Sequence, residues 1–145
     1  MKKSGFILDI QILLSSYDIK FHKDLLVDIN NMLNKSGNEK KFISLLTARI
    51  SMLDQAGQNV IYSADRNFES LKNETELYSM HLTIKRNAYR ILFSFLDDGS
   101  VLLCGFTEKQ GKRKTDYTAS KQIARRRLHE IREGKNEEID SRNLK

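Results

Sequence analysis

The sequence predicts an α+β domain: an antiparallel-rich sheet of about four strands, an N-terminal helical hairpin and a basic C-terminal helix. Two apolar spacings and one turn predict it. Apolar residues alternate at period two in 6–14 and again between residues 78 and 106, as on a strand with one buried face. Between residues 22 and 56, and again in 116–132, they recur at intervals of three and four, as along one side of a helix. Asp97, Asp98 and Gly99 separate two of the alternating runs and supply the turn that an antiparallel pair requires. The predicted order is β-α-α-β-β-β-α, with residues 1–132 as one domain and 133–145 as a polar, flexible tail.

The first strand is expected over 6–14, where Phe6, Leu8, Ile10, Ile12 and Leu14 fall on one face. Residues 17–22 fit either period, since Tyr17, Ile19 and Phe21 alternate while Phe21, Leu25, Ile29 and Leu33 already keep helical spacing. A helix is placed over 22–34, and Lys35 to Asn38 form a turn in which Gly37 takes the left-handed conformation. A second helix over 39–56 carries Phe42, Leu45, Leu46, Ile50 and Leu53 inward and ends at Gly57; so short a link predicts an antiparallel pair. The pattern weakens from Gln58 to Thr75, where an irregular connection tucks in Val60, Ile61, Phe68 and Leu71. Strands follow around Tyr78–Ile84, Tyr89–Leu96 and Ser100–Phe106, and Tyr117, Ala124, Leu128 and Ile131 share one side of the last helix.

The chain has 145 residues and a formal net charge of +6, and the excess is not evenly spread. Residues 1–80 are neutral, 81–132 carry +7 and 133–145 carry −1. A block so basic is suited to a polyanion or an acidic protein. The longest apolar stretch, Phe6 to Leu14, contains Asp9 and is far shorter than the roughly 20 residues that cross a bilayer, so no membrane partner and a cytoplasmic location are expected. Cys104 is the single cysteine, which excludes an intrachain disulfide, and no Cys/His spacing suits zinc; no metal and no cofactor are expected. Cys104 reads as a small buried strand residue, and His22 and His129 as surface residues.

Three words of the sequence, Leu77-Tyr78-Ser79-Met80-His81, Ala88-Tyr89-Arg90-Ile91-Leu92-Phe93 and Leu102-Leu103-Cys104-Gly105-Phe106-Thr107-Glu108-Lys109, resemble the core of RelE/HigB-type toxins of bacterial toxin–antitoxin modules, in particular the phage-derived HigB-like branch. There the strings read approximately LYELR, YRILF and LLHGFxKK, with a Lys/Arg-rich helix after them. The likeness covers 24–130 in element order and its specific words lie in 71–127. His81 stands where the first word has arginine, and Cys104 where the third has histidine.

The resemblance implies a RelE-like fold and a metal-independent endoribonuclease that cuts messenger RNA, usually on the ribosome, by attack of a ribose 2′-hydroxyl on its own phosphate. It also implies a cognate antitoxin from an adjacent gene, expected to carry a helix-turn-helix. Such chemistry needs a proton acceptor, positive charge around the phosphorane and a proton for the leaving oxygen. Arg90 is a charge in an apolar strand, on the face away from Tyr89, Ile91, Phe93 and Phe95, and a guanidinium grips phosphate bidentately; a salt bridge to a helix carboxylate is the structural alternative. The resemblance implies that Lys109 is a second cation, the alternative being an ordinary loop lysine, and that Tyr117 stacks on a base or assists proton transfer, the alternative being burial beside Ala124 and Leu128; His81 either titrates in the same groove as Arg90 or is a half-exposed sheet histidine. Lys85, Arg86, Lys112, Arg113, Lys114, Lys121, Arg125 and Arg126, with Arg127 beside them, would neutralise RNA backbone. Two other readings stay open: a ParE-like inhibitor of DNA gyrase, which catalyses nothing, and a nucleic-acid-binding module without activity.

Overall fold

In a computed structural model, which describes residues 5–17, 19–62, 67–108 and 117–134, the chain is α+β with four helices and a mixed, open sheet of five strands. The order is α1 (Gly5–Ser16), β1 (Lys20–Phe21), α2 (Leu25–Leu33), α3 (Glu39–Ala56), a short 3₁₀ helix (Gly57–Tyr62), β2 (Phe68–Ser70), β3 (Tyr78–Ile84), β4 (Asn87–Leu96), β5 (Gly99–Thr107) and α4 (Thr118–Arg132). The strands lie β1-β5-β4-β3-β2; all neighbours are antiparallel except β1, which runs parallel to β5.

The expected first strand is a helix. Ile7, Ile10 and Leu14 are buried at helical spacing, while Leu8 and Ile12, which a strand would have buried beside them, are 45% and 63% exposed. The alternating residues 6, 10 and 14 are also four apart, so the same letters satisfy both periods, and packing against α2 and α3 selects the helix. The sheet gains its first-strand position from Lys20 and Phe21 instead, within the stretch that fits both periods. The helical hairpin is corrected with it: α1 packs against both α2 and α3, which touch each other little. The sheet has five strands rather than four, because β1 and the three-residue β2 are both too short to leave a periodic signature.

The remaining elements follow their residues. Gly37 has φ 78° in the turn after α2, and Gly57 ends α3 at φ 55°. The β4–β5 hairpin turns on Asp97 and Asp98, with Leu96 opposite Gly99 and the positive φ on Gly99. One face of the sheet, bearing Met80, Leu82, Tyr89, Ile91 and Phe93, packs on α1–α3; the other, bearing Leu92, Val101, Leu103 and Cys104, packs on Ala124 and Leu128 of α4. A register shift at Leu92/Phe93 inserts Leu103 on β5 without a partner across β4.

Beyond its short pairing with β1, the outer edge of β5 is closed by an ion pair. Asp28 of α2 accepts the Gly105 N–H at 3.1 Å and the Arg127 Nη1 at 2.6 Å, while Arg127 of α4 also donates to the Leu103 carbonyl at 2.9 Å. The edge groups that would otherwise pair with another chain are thereby used. Arg127 is therefore buried in the fold, a correction to its place among the RNA-facing cations. His22 is likewise buried, at 1% exposure, rather than on the surface. Its Nδ1 accepts the Asp24 N–H at 3.0 Å, so Nε2 carries the proton and donates to Glu130 of α4 at 2.7 Å. Burial lowers its pKa. His129 lies on the surface as expected, paired with Glu133.

Candidate active site

Where α4 begins, a half-buried polar cluster lies on the sheet. Register places it: His81 of β3 lies opposite Arg90 of β4, and Arg90 opposite Phe106 of β5, so all three project from one side. Tyr117, immediately before α4, packs edge-on against Phe106 with ring centroids 5.7 Å apart. Glu69 enters from β2 and accepts two hydrogen bonds on the same Oε1, from His81 Nε2 at 2.8 Å and from the Tyr117 hydroxyl at 2.7 Å. The buried Ser79 Oγ lies 3.4 Å from the Tyr117 oxygen.

The electrostatics follow from this crowding. Burial, then the Arg90 charge, lower the His81 pKa against the pull of Glu69, so the imidazole is neutral near neutrality. With Nε2–H donated to the Glu69 carboxylate, its lone pair is on Nδ1. Burial raises the pKa of Tyr117, which stays a protonated donor. Arg90 is paired through Nη2 with Glu108 Oε2 at 2.9 Å, their side chains 12% and 19% exposed. The carboxylate comes from the end of β5 rather than from a helix. Cys104 is buried nearby, its thiol pushed up to about 12 mainly by burial, and supplies no nucleophile.

Three expected site residues thus converge: Arg90, His81 and Tyr117, from β4, β3 and the start of α4. Lys109, Lys112, Arg113 and Lys114 lie outside the described residues. Lys85 and Arg86 form the β3–β4 turn, at the sheet end where Thr107 pairs with Tyr89 and the chain leaves for the basic segment. The cations on α4 are distributed differently from the expected continuous surface. Lys121 donates to the Lys72 carbonyl at 2.7 Å and Arg125 is paired with Glu74, both from the loop between β2 and β3; Arg126 is exposed and helps to lower the Glu130 carboxyl.

The residues missed are the carboxylates. Glu69 fell in a segment read as irregular, and Glu108 was a polar letter beside the lysine of interest. Neither carries a local signal, because each becomes part of the cluster only through pairing of β2 with β3 and of β5 with β4. Among the described residues no group of three or more His, Cys, Asp and Glu side chains is placed to hold a metal ion, and no helix is long and apolar enough to cross a membrane. No protein-family model, curated protein or solved structure matches the chain.

Proposed function

We propose that the chain is an endoribonuclease of the RelE/HigB toxin type, which cleaves messenger RNA, stops translation and is neutralised by a cognate antitoxin. The observation that carries this reading is the meeting of a neutral histidine and a protonated tyrosine on one carboxylate, Glu69, with Arg90 opposite the histidine on the neighbouring strand, on a sheet face at the exit to a Lys/Arg-rich segment. In this reaction His81 Nδ1 accepts the 2′-hydroxyl proton and the 2′-oxygen attacks the adjacent phosphorus. Arg90 compensates the charge that builds on the phosphorane. Tyr117 gives its proton to the departing 5′ oxygen and recovers one from His81 through Glu69, which bonds to both. The products are a 2′,3′-cyclic phosphate and a 5′-hydroxyl; His81 is left neutral with its proton on Nδ1, and proton exchange with water returns it to the Nε2–H form that bonds to Glu69.

Induced expression followed by primer extension on translated messages tests the reading. Cuts are expected with the native chain and are lost in Arg90→Ala. DNA damage without RNA cuts would instead mark a gyrase inhibitor, and RNA binding without cuts an inactive module.

A further inference from the structure

We propose that the Arg90 guanidinium is a phosphate site held shut by Glu108, whose carboxylate stands in for the phosphate until a phosphodiester displaces it. The argument begins with what Arg90 leaves unused. A guanidinium offers its Nε–H and one Nη2–H along a single edge, the pair that grips two oxygens of a carboxylate or phosphate. Here Nη2 donates to Glu108 Oε2 at 2.9 Å, Nη1 reaches the Tyr89 carbonyl at 3.3 Å, and Nε is buried with no hydrogen-bond partner. Glu108 therefore fills half of the fork. Buried donors are nearly always paired in folded proteins, and although Arg127 Nε in the β5-edge ion pair is orphaned too, the Arg90 Nε–H lies on the edge that binds oxyanions and is free to take a second oxygen beside the one on Nη2.

Position makes Glu108 a suitable gate. Its backbone is fixed, the N–H bonded to the Ala88 carbonyl at 2.8 Å, so its side chain can turn away without moving the strand end. Its carboxylate competes with an incoming anion for the same Nη2. A phosphodiester with two free oxygens satisfies Nε and Nη2 together, and the exchange becomes favourable once the ligand is also held elsewhere. His81 and Tyr117 lie on the same face to meet the rest of the nucleotide. In naming a phosphodiester as the ligand the inference rests on the ribonuclease reading; the anion site itself does not.

The test is a titration of the ¹⁵N-labelled full chain with inorganic phosphate, following the Arg90 Nε–H resonance. Glu108→Gln, which keeps shape and removes charge, is expected to bind phosphate at least tenfold more tightly than the native chain and to shift that resonance. Arg90→Lys should abolish the gain in the Glu108→Gln background. Equal or weaker binding by Glu108→Gln overturns the proposal. If that variant folds poorly, Glu108→Asp, whose shorter arm reaches Nη2 less well, replaces it and should still bind more tightly than native; no gain there overturns the proposal too. RNA cleavage measured on the same samples separates the two claims. Cleavage by the native chain without a phosphate gain sinks the gate alone, and a gain without cleavage sinks the ribonuclease reading alone.

Discussion

Arg90 and Glu108 share one charge-assisted hydrogen bond in a site that is largely closed to solvent, and the two ends of that bond have different consequences. Arg90→Ala removes the cation aimed at the reacting phosphate and is expected to lower RNA cleavage by about 10²–10³-fold, the usual cost of one preorganised donor. Arg90→Lys should recover a fraction of this, because an ammonium does not reproduce the fork. Cleavage of a short RNA by the folded variants, checked by circular dichroism, decides it; undiminished cleavage by Arg90→Ala would remove Arg90 from the site. A second expectation concerns protons. His22 and His81 both have folded pKa values below the ordinary 6.5, mainly through burial. Below that pH the unfolded chain binds more protons than the folded one, so the stability these residues contribute is present above about 6.5 and is lost as pH falls through their folded values. Urea midpoints should fall between pH 7.5 and 5.5. They should fall less in His22→Gln, which has no ring to charge, since the Glu130 carboxyl titrates below its ordinary 4.5 and does not act in this window.

At the scale of elements, α1 is the sharpest discriminator. If 5–16 is a helix with Ile10 inward, Ile10→Ala should cost about 2–5 kcal/mol, while Leu8→Lys and Ile12→Lys should each stay within about 0.5 kcal/mol. A strand with all alternating residues inward would make the three changes equally damaging. The Asp28–Arg127 pair joins α2 and α4 across the β5 edge, and Asp28→Ala leaves a buried guanidinium without its carboxylate. A loss of about 3–5 kcal/mol is expected by chemical denaturation, with part of it regained in Asp28→Ala/Arg127→Met, where no buried charge remains. An additive double variant would show that the two residues do not act as a pair.

At the scale of the whole molecule, the basic block predicts salt-dependent RNA binding, with the slope distributed by structure rather than by composition. Lys85, exposed on the β3–β4 turn, is expected to flatten the dependence of affinity on salt by roughly 0.7 when changed to Gln, the value for one phosphate neutralised on a single strand. Arg125→Gln should change it less, because Glu74 already compensates Arg125. Filter binding of a single-stranded RNA between 50 mM and 200 mM salt measures both. Equal slopes for the two variants would show that the ion pair with Glu74 opens when RNA binds.

The sequence by itself determined the α+β class, the α3 helix at 39–56, the three long antiparallel strands with their Asp97-Asp98-Gly99 turn, and the face of Arg90. These features are local or periodic: a side-chain alternation of two fixes which residues share a face, and glycine fixes where the chain turns. Tertiary structure alone decided that 6–14 is helical, because residues spaced at both two and four are ambiguous until a packing partner exists. It also decided that Arg127 and His22 face inward, and that Glu69 and Glu108 complete the cluster. An Arg, His or Glu letter carries no burial signal of its own. Its environment is set by strands and helices distant in sequence, here β2 against β3, β5 against β4 and α2 against the edge of β5, and such pairings exist only once the chain has folded.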